Sequence, residues 1–369
     1  MSAFGRAMRD RREQLGWTQR DLAGRAFLNP GYVAKLERGT RNPSREVAEV
    51  LDRVLDAGGS LAALVNAPRR EPSPPMLTSA DVEGLHGQIR ALVADDITHG
   101  ADGLWRRAGR EFRRAHEALA AGRFPDAHRA DLHAAVGELG EVAGWLAYDA
   151  GRPEVGRRLM TDALLVSQLA GDAAMEGLQL NLLALLAQEA GRYAEALALA
   201  DRGLALAPPG GRVEAMHRLR RGRALASLGS AEGLGELSRA RALLDGGGRS
   251  GEPAWSWWVS PQELALHQGQ GHAALGEFGR AVEWSGVAVD MLPAAQRRDR
   301  AVYLSRHAGH LLGVRDWSSV ELVAGELGPL LDAAGSGRVR GEVAGVVQVA
   351  RRVGAPGRVV DALTAVAAA

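Results

Sequence analysis

Few stretches of this chain carry residue types at spacings that could do chemistry. His307 and His310 stand three apart on a helical run, close enough to share a metal ion, yet no acidic or thiol ligand is placed with them. Packed or solvated histidines explain the pair better than a metal site. The run GGGRSG at 246–251 follows a helical segment rather than a strand, which makes it a loop and not a phosphate cradle. No G-x-S-x-G elbow, Walker loop or paired-carboxylate arrangement stands out, so neither an enzyme nor a bound cofactor is expected. The densest local signals fall instead at residues 18–38, TQRDLAGRAFLNPGYVAKLER.

These residues read as two short helices with their own start signals. Thr18 can cap the first, and Asp21 three residues on completes a capping box, with Leu22, Ala23 and Ala26 as the inward face. Asn29 offers a second cap and Pro30 follows at the first helical position, where its missing N–H costs nothing. Val33 and Leu36 form the next apolar stripe before Gly39 ends the helix. Two such helices joined by three or four residues make a helix-turn-helix, whose second helix lies in the major groove of DNA. From Phe4 to about Val65 the chain resembles the DNA-binding domain of the phage-repressor-like (XRE) regulators. The shared features are an Arg-rich first helix, LGWTQ, the motif itself, the segment ERGTRNPS and a fourth helix SREVAEVLDRVL.

That resemblance implies roles. Gln19 matches the position that touches phosphate and steadies the recognition helix. Pro30, Gly31, Tyr32 and Lys35 occupy the outward recognition-helix positions, and since Pro30 and Gly31 carry no side-chain donor, base reading is expected to fall on Lys35 and Tyr32. Asn29 and Arg41 are expected as phosphate contacts. Arg12 and Glu37 match a pair that bridges the first helix to the recognition helix, a structural role. Phe27 stands where the family commonly has a turn glycine able to take positive φ.

At 369 residues the chain is too long for one small DNA-binding domain, so a second unit is required. With 46% hydrophobic residues but only 5% aromatic, the core must be filled mainly by Ala, Leu and Val, which suits close-packed helices. There is no cysteine, which excludes disulfide and thiol sensing. No signal peptide or long apolar run appears, so a cytoplasmic protein without membrane association is expected. Net charge is +1, and residues 1–66 carry eleven Lys and Arg against eight Asp and Glu. So modest an excess implies specific or dimer-assisted binding to double-stranded DNA rather than charge-driven coating. Lys35 is the only lysine in the chain.

A first domain is expected over 1–66, closed by a fifth helix, GGSLAALV, and followed by a proline-rich linker at 67–79. From residue 80 to 369 the chain reads as helix after helix, with a glycine-containing breaker recurring at Gly151, Gly191, Gly229, Gly276 and Gly313, spaced 40, 38, 47 and 37 apart. These breakers resemble those of tetratricopeptide helical pairs, most clearly in GRYAEALALADRGLALAP and GEFGRAVEWSGVAVDMLP; a HEAT-like array differs little physically. The expected fold is therefore all-α: a five-helix lambda-repressor-like domain, then a tetratricopeptide-like α-solenoid of five or six pairs, with 80–125 an irregular first pair and 354–369 a cap.

Such a stack lines its concave face with the first helix of each pair. Registering the repeats on their turn glycines places Glu138, Glu141, Trp145, Tyr148 and Asp149 on that face, then Asn181, Leu185, Gln188 and Glu189, then Met216, Leu219 and Arg223. Asn181 sits in the apolar run LQLNLLALL, where a carboxamide is costly to bury alone. Either it falls where tetratricopeptide domains grip a peptide backbone, or it bridges neighbouring helices. Trp145 and Tyr148 are either a ligand wall or core. Trp255, Trp257 and Trp258 form an aromatic cluster that either walls a ligand, makes a dimer contact or plugs the gap left by a long linker between repeats.

An XRE-like head followed by tetratricopeptide-like pairs resembles a class of transcriptional regulators common in actinobacteria. The segments QELALHQGQGHAALGEFGRAV and RRDRAVYLSRHAGHLLG add to the likeness. The resemblance implies a homodimer on operator DNA whose repeats hold a peptide or small-molecule effector; the alternative is a scaffold whose repeats bind a partner protein and whose head only tethers it to DNA.

Overall fold

Ser2, Thr18, Asn29 and Ser44 open the first four helices, each accepting a backbone N–H with its side chain. In this computed structural model, which describes residues 2–66, 78–124, 126–246, 250–331 and 335–368, the chain divides between residues 75 and 76 into two compact units. Most of the expected linker, 67–77, and positions 247–249 of the glycine-rich run lie outside the described residues.

The first unit holds α1 (Ala3–Gln14), α2 (Gln19–Arg25), α3 (Pro30–Arg38), α4 (Arg45–Val54) and α5 (Ser60–Asn66) around a core that includes Met8, Leu22, Val33, Leu36, Leu51 and Leu55. α1 crosses α3 at Gly5, where an added Cβ would lie 2.5 Å from the Leu36 carbonyl oxygen, so only glycine allows this approach. The capping box of Thr18 and Asp21 is formed, and Gly39 closes α3 in the left-handed conformation at φ 74°. Phe27 takes φ 54° in the turn and is 95% exposed. Asp52 builds the start of α5, its carboxylate accepting from the backbone N–H of Gly59, Leu61 and Ala62 at 2.6, 2.6 and 2.9 Å.

The second unit continues with α6 (Ser79–His99), α7 (Trp105–Ala120), α8 (Arg129–Asp149), α9 (Pro153–Ala170), α10 (Ala173–Glu189), α11 (Tyr193–Leu206), α12 (Arg212–Ser227) and α13 (Glu232–Asp245). After a short 3-10 turn, Ala254–Trp258, come α14 (Pro261–Ala274), α15 (Phe278–Met291), α16 (Arg297–Gly313), α17 (Trp317–Leu331), α18 (Gly337–Arg352) and α19 (Gly357–Ala368). From α8 onward successive helices pack as pairs, and α6 and α7 both pack on α8. The second helix of a pair meets the first at near-backbone distance, as where Gly222 of α12 faces Gly233 of α13.

Two expectations change. The left-handed residue of the fifth inter-helix turn is Arg315, at φ 60°, not Gly313, which ends α16 against the ring of Phe278. The segment expected as a cap carries α19, which packs on both α17 and α18 as the second helix of a further pair. The larger departure is closure. α18 packs on α8, and the start of α18 is bonded to the first helices: Asp102 Oδ1 accepts from Gly337 N at 2.9 Å, and Ser336 Oγ donates to the Asp149 carbonyl at 2.9 Å. The expected open concave face is thus walled on its far side by the last repeats.

Candidate functional site

In the head, the recognition helix is fixed from below. Arg12 grips Glu37 with Nε at 2.6 Å and Nη2 at 3.1 Å, and its Nη1 donates to the Trp17 carbonyl at 2.6 Å. Both side chains are buried, and the hydrogen bond to Glu37 holds the Arg12 guanidinium in its charged form against the cost of burial. Gln19 donates its amide to Glu37 Oε2 at 2.8 Å, so it steadies α3 through a side chain that the helix itself supplies.

The outward face of α3 is open. Lys35 is exposed and has no ion-pair partner among the described residues, and Pro30 and Gly31 are exposed at the helix start. The Asn29 side chain is committed to the cap, accepting from Gly31 N at 2.8 Å. Tyr32, one turn before Lys35 on α3, is half-buried, and the exposed Arg41, from the segment after the helix, lies 5.6 Å from its ring centroid. A rigid helix with a free ammonium and a guanidinium nearby can contact phosphate and base edges.

In the repeat unit, the first helices of the pairs, with α6 and the 3-10 turn, enclose a cavity of about 740 Å³. Of the residues expected there, Glu138, Glu141, Trp145, Tyr148 and Leu185 line it. Asn181, Gln188 and Arg223 do not, and each has a structural engagement instead. Asn181 is fully buried and its Oδ1 accepts from Arg220 Nε at 2.9 Å; Arg220, one pair further on, reaches the cavity in its place. Gln188 donates to Ser227 Oγ at 2.8 Å, tying α10 to α12. Arg223 donates to His267 Nδ1 at 2.8 Å and also reaches the Gln270 side chain. At these three positions a face assignment made on turn glycines fails, because α10 lines the cavity with Leu178, Leu182 and Leu185 and α12 with Arg220, while Asn181, Gln188 and Arg223 turn to neighbouring helices.

His267 carries this contact onward. Its Nε2 lies 3.0 Å from Glu263 Oε1, while Tyr303 donates its hydroxyl to Glu263 Oε2 at 2.6 Å. Burial, with Arg223 and Arg220 alongside, pushes the imidazole down to about 3, so it is neutral at pH 7. Burial opposes the Glu263 charge, but the hydrogen bonds from His267 and Tyr303 outweigh it and hold the carboxyl well below its usual range. Glu263, His267 and Tyr303 all line the cavity and were missed in the sequence, although Glu263 and His267 stand at i,i+4 on one helical run, as do Arg298, Val302 and Arg306.

Ion pairs between distant segments form the wall. Arg298 holds Asp96 with both terminal nitrogens at 2.8 and 3.0 Å and reaches Asp149 at 3.3 Å. Arg338 donates to Asp149 at 2.8 Å and lies 5.6 and 5.4 Å from the ring centroids of Trp145 and Tyr148. Arg306 joins Glu342 at 2.7 and 3.0 Å. Trp255, Trp257 and Trp258 all line the cavity; Trp255 and Trp258 also pack on a hydrophobic cluster behind it, and Trp257 remains 66% exposed. His307 and His310 close on the Ser285 hydroxyl, at 2.8 and 3.0 Å, away from this site. Among the described residues no helix is long and apolar enough to cross a membrane.

Residues 3–65 match the helix-turn-helix domain family, and no match was found among curated proteins. Among solved structures, PlcR of Bacillus thuringiensis, in complex with the peptide PapR7 and DNA, aligns at 13% identity over 78% of this chain and 95% of its own, with a TM-score of 0.32. A signal transduction ATPase with a tetratricopeptide repeat sensor from Pyrococcus horikoshii aligns at 13% identity over 91% of this chain and 54% of its own, with a TM-score of 0.41. The N-terminal unit is a helix-turn-helix domain, and the chain as a whole is an all-α protein of such a domain followed by helical repeats.

Proposed function

We propose that the chain is a sequence-specific DNA-binding transcriptional regulator that acts by binding rather than by catalysis, as a homodimer in the cytoplasm, with its repeat unit holding an effector. The observation that carries the reading is the head: α3 is locked by the Arg12, Gln19 and Glu37 network while Lys35 is left free on its outer face. A helix fixed in this way presents its side chains to the major groove in one register. A dimer places two such helices about one helical turn of DNA apart, or a multiple of it, so a small change between protomers alters affinity.

The docking of α18 on α8 favours a small effector in the cavity over an extended partner segment laid along an open groove. Selection of sites from random duplex DNA with the full-length protein tests the reading. An enriched palindrome whose binding an organic or peptide extract changes is the expected result. An enriched site indifferent to every extract returns weight to the scaffold, and no enrichment removes the DNA-binding role.

A further inference from the structure

The cavity's charges fall into two groups, engaged and free. Arg298 and Arg338 are bound to Asp96 and Asp149, Arg306 to Glu342, and Arg220 to Asn181. Glu263 is satisfied by Tyr303 and His267. The side chains of Glu138 and Glu141, half-buried and one turn apart on α8, make no hydrogen bond or ion pair among the described residues, although both line the cavity. Val142 and Trp145, one turn further along the same helix, and Ile89 and Val93 of α6 supply apolar lining to the same cavity. The other charged residues of the lining are Arg90 and Asp96 from α6, Arg220 from α12, Glu263 from α14, Arg298, Asp299 and Arg306 from α16, and Arg338 from α18; none is paired with either carboxyl, and Arg90 and Asp299, which have no ion-pair partner among the described residues, are exposed to water.

An unpaired carboxyl on such a wall is costly, and a bound positive charge removes that cost. The aromatic lining fits the same occupant. Trp145, Trp255, Trp257 and Trp258 offer ring faces, and indole faces attract cations through their quadrupole. Trp257 and Ile97, the latter 74% exposed, also line the cavity and supply apolar area that an occupant would cover. An anion would meet guanidinium groups that are already engaged, Arg298, Arg306 and Arg338 by carboxylates and Arg220 by Asn181, with the exposed Arg90 alone unpaired among the described lining arginines, and a neutral apolar molecule would leave the carboxyl pair without a donor.

We infer that this cavity takes an organic cation, an amine or guanidinium carried on an apolar frame, with its charge at Glu138 and Glu141 and its frame against the tryptophans. The inference rests on the reading of the cavity as an effector site. Burial, reinforced by the neighbouring Glu138, pushes the Glu141 carboxyl up to about 8, so at pH 7 it is mostly a neutral acid in the empty site. A bound cation reverses that state, and binding therefore releases a proton.

Calorimetric titration of the full-length protein with phenylbutylamine, phenylbutanol and phenylbutyrate, three charges on one frame, tests this. The amine is expected to bind at least about tenfold more tightly than the alcohol or the carboxylate. At pH 7 its heat should differ between phosphate and Tris buffers, because the released proton is taken up by the buffer. Glu141→Gln and Glu138→Gln should each weaken the amine with thermal unfolding preserved, and Glu141→Gln should abolish the buffer dependence. Equal or tighter binding of the alcohol or the carboxylate overturns the cation inference and leaves the effector site standing, as does amine binding that neither Gln variant changes. Absence of binding by all three at millimolar concentration overturns both.

Discussion

In the head, the buried charges Arg12 and Glu37 face each other below the recognition helix, and Lys35 above it is left to solvent. In the repeat unit the arrangement is inverted: Arg298, Arg306 and Arg338 turn inward and each is met by a carboxylate, while Glu138 and Glu141 remain unmatched inside. The difference follows from where a ligand would be. DNA is a polyanion met from outside, so the cations that bind it must be free and the helix carrying them rigid. A molecule held inside a cavity meets partly desolvated walls, where a charge drawn away from water needs a partner; the half-buried Glu138 and Glu141, which have none, mark the place the ligand completes.

The largest test of this contrast is Asp149→Ala. Asp149 is fully buried and accepts from both Arg298 and Arg338, so its loss leaves two guanidinium groups under-compensated and should cost about 3–5 kcal/mol, read as a fall in the urea midpoint of the repeat unit. An unmoved midpoint would mean that the inward charges hold nothing together.

Acid should act next. His217 is fully buried with neither ring nitrogen bonded, and burial, with Arg220 adding repulsion, pushes it down to about 4 from 6.5. Its folded pKa lies below its unfolded one, so its stabilising effect is complete above pH 6.5 and is lost as pH falls toward 4. That loss is on the order of 3 kcal/mol. His267 and His310, both pushed to about 3 by burial first, act in the same direction. Glu141 acts oppositely, since a carboxyl raised to about 8 costs stability as pH climbs from 4.5 through 8. Thermal unfolding followed by circular dichroism should show stability rising from pH 4 to 6.5, and Glu141→Gln should steepen that rise.

Lys35→Ala is expected to weaken operator binding by roughly 1–3 kcal/mol and relax sequence preference at one position, with the unfolding midpoint unchanged. Unchanged affinity would remove Lys35 from the interface. Phe27→Gly should have the smallest effect, stabilising the head by about 1 kcal/mol, because glycine takes φ 54° without the strain that a side chain bears there. If that variant also binds DNA less well, the exposed ring has a role in recognition that its folded-state contacts do not reveal.

The head was legible because its determinants are local. Thr18 with Asp21, Asn29 with Pro30, and Gly39 act over three or four residues, and all form as their spacing implies. The repeats were legible for the same reason, through the left-handed turns at Gly151, Gly191, Gly229 and Gly276. The fifth turn misled because its left-handed residue is an arginine, while the nearby Gly313 is small to admit Phe278. Asn181 was legible as an oddity; its direction, toward Arg220 rather than into the cavity, was not.

By itself, then, the sequence determined an all-α chain, a capped helix-turn-helix head and a run of helical pairs, all of which depend on neighbours within a turn or two. Only the tertiary structure decided the cavity. The pairing of Asp96 with Arg298, 202 residues apart, and of Asp149 with Arg338, 189 apart, requires small rotations between successive pairs to accumulate until α18 meets α8. No local pattern records that sum, and it is this closure that makes Glu138 and Glu141 half-buried, unpaired groups lining a cavity.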